Sequence, residues 1–501
     1  MYKHINDMKY ISTRGDGRKL SASQAILKGL ADDGGLFMPE KLPVFDFELK
    51  DLVGRDYKNT AYRIMRLYFT DYSEDELKEC IDKAYDGKFD TESIIDIKHA
   101  CGAFYIELFH GATIAFKDMA LSILPHLMKV AAKKNNIHGR IVILTATSGD
   151  TGKAAMSGFA DVEGTRIIVF YPKGGVSSIQ ELQMTTQKGA NVEVFAVHGN
   201  FDDAQASVKK IFSDHAFKKL LADNDIMLSS ANSINIGRLV PQIVYYVHAY
   251  IKLLEAGDIN DGEKVNICVP TGNFGNILAA YFAKLMGLPV NKLICASNEN
   301  KVLFDFFKTG IYDKNRNFTL TISPSMDILI SSNFERLIYL SCGCSGAKTS
   351  KLMYELYSSG HYSADKSMMK FMSDFTGGFA SEYENLENIK RVYKESGYII
   401  DPHTSVASSV YEKYKNESHD DTKTLIAATA SPYKFAKSVM GAIADINGMD
   451  DWEVIEMLNK TSGVAIPKAV IDIKDAPVIH KLECDIELMG DMVKKVLGLK
   501  V

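Results

Sequence analysis

From about residue 100 onward, short β-branched runs alternate with longer stretches in which apolar residues recur every three to four positions. The runs fall at 140–144, 166–171, 192–197, 265–269 and 293–296, and helical stretches include 236–256 and 275–286. Short solid apolar runs mark buried strands, and a period near 3.6 marks helices. Their alternation predicts βαβ units, hence an α/β fold with mostly parallel sheets covered by helices. In such folds ligands bind beyond the carboxyl ends of strands, in the strand-to-helix loops. The first hundred residues are mixed and helix-leaning, with a polar cluster at Ser12-Thr-Arg-Gly-Asp-Gly-Arg18 and a turn-rich segment at Ala31-Asp-Asp-Gly-Gly-Leu-Phe-Met-Pro39. The stretch 300–350 is rich in Phe, Ser and Asn with weak periodicity and reads as an irregular elaboration; 414–422 reads as an exposed charged loop.

Composition narrows the class. A chain of 501 residues exceeds one compact core and predicts roughly two to four domains. A net charge of −5 provides no field to gather nucleic acid or an anionic membrane. No apolar run is long enough to span a bilayer. The first residues lack the apolar core of a signal peptide and the Arg/Ser-rich character of a transit peptide, so a cytoplasmic protein is expected. Seven scattered cysteines, an odd number, fit reduced thiols. Cys342 and Cys344 form a C-x-C with no second pair nearby, which reads as partly buried thiols rather than zinc, and no metal is expected.

Candidate chemistry begins at His110-Gly-Ala-Thr-Ile-Ala-Phe-Lys-Asp118. Lys117 is either a helix-start lysine with a solvated tip or a nucleophilic amine. Ile114, Ala115 and Phe116 give it an apolar approach, which penalises the ammonium and lowers its pKa. More free amine then remains to form a Schiff base with an aldehyde.

Two glycine-containing loops follow predicted strands. Thr145-Ala-Thr-Ser-Gly-Asp-Thr-Gly-Lys-Ala-Ala155 offers backbone N–H groups to an anion at a helix start. A nucleotide P-loop requires glycine at Thr147 and a hydroxyl at Ala154, so a carboxylate or small anion is the better guest; an ordinary capped strand–helix turn is the alternative. Pro270-Thr-Gly-Asn-Phe-Gly-Asn276 places Gly272 and Gly275 where tight or positive-φ geometry is expected, with Phe274 as a shield on one side. Its N–H groups suit a phosphate dianion, and the absence of a basic residue suits a phosphate tethered to a cofactor.

Two further segments add donors. In Thr424-Leu-Ile-Ala-Ala-Thr-Ala-Ser-Pro432 an apolar strand ends at Thr429, whose hydroxyl either bonds a heteroaromatic nitrogen or completes a turn. In Ser229-Ser-Ala-Asn-Ser-Ile-Asn-Ile-Gly-Arg238, Asn232, Ser233 and Arg238 either grip a phosphate ester or cap the following helix, with Arg238 solvated.

Taken together, the reactive lysine, the Ser-Gly-Asp-Thr-Gly loop, the Gly-Asn-Phe-Gly-Asn loop and the late threonine resemble the threonine synthase family of fold-type II pyridoxal-phosphate enzymes. Tyr10-Ile-Ser-Thr-Arg-Gly15 and Gly29-Leu-Ala-Asp-Asp-Gly-Gly-Leu-Phe-Met-Pro-Glu40 resemble the N-terminal domain of its fungal and bacterial branch, and Asp401-Pro-His-Thr404 is part of the same pattern. Ser431 departs from it, standing where many members carry His.

The resemblance implies a tryptophan synthase β-like α/β fold, with two mostly parallel sheets and an N-terminal domain. It divides the chain into 1–98, a cofactor-binding core over 99–445 with a smaller subdomain at about 125–250, and a helical extension over 446–501. It implies pyridoxal 5′-phosphate held by Lys117, with Gly272, Asn273, Phe274, Gly275 and Asn276 at the cofactor phosphate and Thr429 at the pyridine nitrogen. Thr147, Ser148, Gly149, Asp150 and Thr151 resemble the grip on the substrate α-carboxylate. Asn232, Ser233 and Arg238 resemble the grip on the substrate phosphate, with Lys153 a further candidate.

The implied reaction is the last step of threonine biosynthesis, from O-phospho-L-homoserine and water to L-threonine and phosphate. Another fold-type II lyase, such as a serine/threonine dehydratase or phospho-amino-acid phospholyase, shares the scaffold. A catalytically silent pyridoxal-phosphate-binding protein is a third reading. The only expected partner is a small-molecule substrate, with no nucleic acid or membrane, on a monomer or weak homodimer.

Overall fold

The structure, a computed structural model, describes residues 7–147, 149–176 and 178–500. Two sheets organise it. The larger has six strands in the spatial order Phe375–Phe379, Val290–Ser297, Val265–Pro270, Thr424–Ala428, Ala103–Glu107 and Asp96–Ala100. Neighbours run parallel except the last two, which form an antiparallel hairpin. The smaller sheet is wholly parallel, in the order Leu482–Asp485, Val192–His198, Thr165–Pro172, Arg140–Ala146 and Ile226–Ser229.

The five strands read from apolar runs are all present, each extended at one or both ends. The helices Ile236–Ala256 and Gly275–Met286 have the expected bounds. Phe375–Phe379 escaped the pattern because it contains two adjacent glycines. A Cβ at Gly378 would come within 2.4 Å of Val410 on the helix Pro402–Ser418, so close packing excludes a side chain.

Ile236–Ala256 is buried along most of its length and forms the central pillar. The N-terminal helix Tyr57–Tyr68 packs against it, and the Thr60 hydroxyl meets His248 Nδ1 at 3.0 Å. One apolar core therefore runs from Tyr10 to Ala427. The strand Tyr10–Ser12 pairs with Phe37–Pro39. Beyond it, the Arg14 guanidinium forms a two-point ion pair with Glu335, at 3.0 and 2.8 Å, on the helix Phe334–Ser341.

Three segments differ from the sequence reading, the first being 414–422, whose residues up to 418 continue the helix Pro402–Ser418. The region 446–501 does contain helices, including Asp451–Ser462 and Met489–Leu497, but it also supplies the edge strand of the small sheet. That strand is four residues long with only Cys484 buried, too little pattern to detect. The stretch 300–350 is more regular than expected, holding the helices Val302–Thr309 and Phe334–Ser341 around an aromatic cluster. Cys342 is buried, whereas Cys344 is exposed. Among the described residues, no helix is long and apolar enough to cross a membrane.

Candidate active site

Lys117 follows a tight turn in which Ile114 adopts a left-handed φ of 50°, a costly conformation for a β-branched residue. The turn is held from two sides. Asp118 accepts from the Thr113 N–H and hydroxyl at 2.8 and 2.6 Å. The segment after the strand Thr424–Ala428 runs alongside, with Phe116 N–H donating to Thr429 O at 2.8 Å and Ser431 N–H to Ile114 O at 3.0 Å. Ser431 therefore contributes backbone to the wall around Lys117 and caps its own turn through its hydroxyl.

The Lys117 amine donates to Asp150 Oδ2 at 3.3 Å and to Ser325 Oγ at 3.2 Å. Asp150 opens the helix Asp150–Phe159 of the small sheet, so this contact joins the two lobes. The carboxylate also receives the Ser325 hydroxyl at 2.8 Å, Gln180 Nε2 at 3.1 Å and the fully buried Lys434 amine at 3.2 Å. Burial opposes the charge on Asp150, but Lys434 and Lys117 outweigh it and hold its carboxyl well below the usual range. For Lys117, burial is the largest influence and lowers its pKa; Asp150 opposes, while Lys434 and Arg238 push the same way as burial.

This geometry gives the Asp150 side chain a role separate from that of its backbone N–H. Its carboxylate is the wrong charge to grip a substrate carboxylate and is instead the counter-ion of two lysines. Within the same loop, Thr147 Oγ1 accepts from the N–H groups of Gly149 and Gly152 at 3.0 and 2.9 Å, so two of the expected anion donors are used internally. The N–H groups of Asp150 and Thr151 stand in the first helical turn and have no acceptor within the helix. Ser148 lies outside the described residues.

Asp401-Pro-His-Thr404 forms a second polar unit. Asp401, fully buried, caps its helix and bonds His403 Nδ1 at 2.8 Å as well as the Thr404 hydroxyl. His403 Nε2 then accepts the Ser325 N–H at 3.1 Å. Thr404 Oγ1 accepts the Thr429 N–H at 3.2 Å. One carboxylate thus fixes both the Ser325 turn beneath Lys117 and the backbone of Thr429.

In the loop after the strand Val265–Pro270, the left-handed residue is Phe274, at φ 63°, and neither Gly272 nor Gly275 has positive φ. The glycines serve close approach instead. A Cβ at Gly272 would lie 2.6 Å from the Ser325 carbonyl oxygen, and one at Gly275 would lie 3.2 Å from Asn333 Nδ2. Nor is Phe274 a shield over a ligand: its ring is buried against Phe307, Phe334 and Phe375. Asn273 O accepts from Asn333 N and Nδ2 at 3.0 and 3.1 Å. Asn276 Oδ1 accepts from Tyr245 and Tyr246 at 2.6 and 2.5 Å, while its Nδ2 is buried without a partner.

At the entrance to Ile236–Ala256 the cap is Asn235, not Asn232 or Ser233. Asn232 is exposed, and the Ser233 carbonyl accepts from Asn333 at 3.3 Å. Arg238 is buried rather than solvated. Its Nη1 donates to Ala231 O at 2.8 Å and its Nε has no partner. No carboxylate pairs with it among the described residues, and burial pulls its pKa down to about 10. Lys153 turns to Gln187 at 2.6 Å, with its pKa lowered to about 8 by burial and by Lys434. The site therefore unites Lys117, Asp150, Thr429, the 270–276 loop and Arg238. It adds Ser325, Gln180, His403 and Lys434, of which only His403 lay in a segment with a readable pattern.

Comparison with known proteins gives consistent matches along much of the chain. Residues 9–85 match the family model "Threonine synthase N terminus", and residues 97–343 match "Pyridoxal-phosphate dependent enzyme". The chain is 38% identical to the threonine synthase of Saccharomyces cerevisiae over 87% of its own length and 89% of that protein. It is 40% identical to threonine synthase-like 1 of Homo sapiens over 88% of its length, but it spans only 62% of that longer protein. The crystal structure of yeast threonine synthase superposes with a TM-score of 0.88 at 33% identity, covering 99% of this chain and 100% of that one. The pyridoxal-phosphate-bound threonine synthase of Brucella melitensis gives 0.86 at 34%, covering 98% and 99%.

Proposed function

The chain belongs to the threonine synthase family of pyridoxal-phosphate-dependent enzymes, and from that membership we propose that it converts O-phospho-L-homoserine and water into L-threonine and phosphate. The residues fit the cofactor. Lys117 is a buried amine with a lowered pKa, the state a carbonyl-capturing lysine needs. The bare backbone at Gly272 leaves a cradle with no room for a side chain, and the first-turn N–H groups of Gly275 and Asn276, with the orphaned Asn276 Nδ2, suit a phosphate. Thr429 would meet the pyridine nitrogen through its hydroxyl. When bound, pyridoxal phosphate supplies an electron sink for carbanion chemistry at the substrate amino acid.

The protein's own groups then divide the work. Lys117 Nζ, once released from the cofactor, takes the Cα proton. Ser325 Oγ and Asp150 Oδ2 hold that amine in place. The Asp150 and Thr151 N–H groups receive the α-carboxylate at the helix start. Arg238 takes the substrate phosphate, with Ser233 beside it. Lobe closure around the Asp150 contact keeps water from the reacting carbons until the addition step.

The observation that carries this reading is the buried Arg238 guanidinium, within electrostatic reach of Lys117 and without a carboxylate of its own among the described residues. A buried cation left uncompensated is costly, and an incoming phosphate ester compensates it. A dehydratase acting on unphosphorylated serine or threonine has no use for it. The test is to supply O-phospho-L-homoserine, L-threonine and L-serine separately to cofactor-loaded protein and to identify the products. Threonine with stoichiometric phosphate is expected from the first substrate; 2-oxobutanoate as the sole product rejects the proposal. Lys117→Ala should remove both turnover and the visible cofactor absorbance while the protein stays folded by circular dichroism, and retained turnover would exclude Lys117 from its role.

A further inference from the structure

Lys434 stands two positions after Pro432, just beyond the segment that carries Thr429. In the structure its side chain is completely buried. The short turn Pro432–Phe435 is drawn inward by the backbone bonds that tie Thr429 and Ser431 to Phe116 and Ile114. Lys434 Nζ donates to Thr113 O at 3.0 Å and lies 3.2 Å from Asp150 Oδ1. Lys117 Nζ lies 3.3 Å from the other oxygen, Oδ2. Two ammonium groups are thus arranged on one carboxylate, one per oxygen. Desolvating an ammonium costs several kcal/mol. If Lys434 only filled space, an apolar side chain of similar length would do so without that cost.

The surrounding charges leave Asp150 as the one carboxylate the two amines share. Arg238 faces Lys117 from Ile236–Ala256, and His403 faces Asp150 from Pro402–Ser418. Asp118, which accepts from Thr113, and Lys153, engaged with Gln187, also lie within electrostatic reach of Lys434, but neither contacts its amine. Among the described residues, no other carboxylate forms an ion pair with Lys117 or Lys434.

We infer that Lys434 is a positioning residue that takes a share of Asp150 and so leaves the Lys117 amine free to capture the cofactor aldehyde. In that capture the Nζ lone pair adds to the aldehyde carbon, and the carbonyl oxygen departs as water with the two amine protons. An ammonium held by an exclusive carboxylate has no lone pair to offer. A neighbouring cation that competes for the carboxylate and repels the second charge favours the neutral amine. The lowered pKa of Lys117 has burial as its largest cause, with Lys434 adding in the same direction.

The inference rests on Lys117 being the cofactor-bearing residue, and one experiment separates the two. Cofactor-free protein is mixed with pyridoxal phosphate between pH 6 and 10. Uptake is followed by visible absorbance, and the adduct is trapped with borohydride and mapped. Lys434→Met should move the pH midpoint of uptake upward by about one unit, slowing uptake at pH 7 by about tenfold. Its thermal unfolding in the cofactor-free state should change little, because Asp150 keeps Lys117, Ser325 and Gln180 as partners. Lys434→Arg, which keeps the charge, should restore the midpoint. Asp150→Asn, which removes the shared counter-ion, should move it downward and serves if Lys434→Met does not fold. An unmoved midpoint in the folded Lys434→Met protein, or in Asp150→Asn, overturns the inference, as does a Lys434→Arg midpoint displaced as far as that of Lys434→Met. An adduct on a residue other than Lys117 overturns the reading of the site itself.

Discussion

On the proposed reaction, the buried Arg238 guanidinium, with its Nε unpaired and no carboxylate partner among the described residues, receives the substrate phosphate. At Arg238 the expected consequence is specific. Arg238→Ala should raise KM for the phosphorylated substrate by about 10- to 100-fold, the value of one or two charge-assisted hydrogen bonds, while leaving cofactor absorbance intact. An unchanged concentration dependence would remove Arg238 from the phosphate grip. Its residue type and place at a helix entrance were legible in the chain; its burial was not, because burial depends on tertiary packing around that entrance. Lys117 was legible for the opposite reason, since its apolar approach is local. Asp150 was legible as a helix-start donor, but the pairing of its side chain with two lysines was not. Helix-start donors are local, whereas the side chain's partners Ser325 and Lys434 lie 175 or more positions away along the chain.

Among elements, strands and helices with strong periodicity were readable to within a few residues, and irregular pieces were not. The phosphate-type loop shows why. Glycines suggest positive φ, yet the strained residue is Phe274, whose ring is anchored by three phenylalanines from later segments. Helix capping was similarly displaced, from Asn232 or Ser233 to Asn235. Asn235 accepts from Gly237 N–H at 2.9 Å and donates to Ile26 O at 2.9 Å, so it caps the pillar helix and ties it to the N-terminal region. Asn235→Ala should cost about 1–2 kcal/mol in chemical denaturation and should also raise KM, because Arg238 stands one turn further on. A variant with unaltered midpoint and KM would show that the cap neither stabilises the helix nor aims Arg238.

For the whole molecule, the N-terminal region and the rest of the chain share structure. The N-terminal region contributes to the main core, and its Arg14 grips the helix behind the cofactor-type loop. Arg336, on that same helix, is fully buried and donates to Phe37 O at 3.0 Å, to Ile234 O at 2.6 Å and to Asn333, joining three regions through one guanidinium. No local pattern announces such a residue, because each partner comes from a different part of the chain. The C-terminal strand is equally non-local. Removing residues 481–501 uncovers the flank of Val192–His198, whose free N–H and C=O groups would then template pairing between molecules. The shortened protein should self-associate in light scattering and melt earlier, and a monodisperse product with unaltered melting would mean that the strand is dispensable.

That strand also sets a timetable for biogenesis. Asp485 meets His198, which leaves the ribosome 287 positions earlier. During the intervening translation the small lobe has an uncovered border, and pairing across so long a loop is intrinsically slow. Anything that stalls elongation over that interval prolongs the exposure, so maturation of this lobe depends on the tempo of synthesis as well as on its contacts.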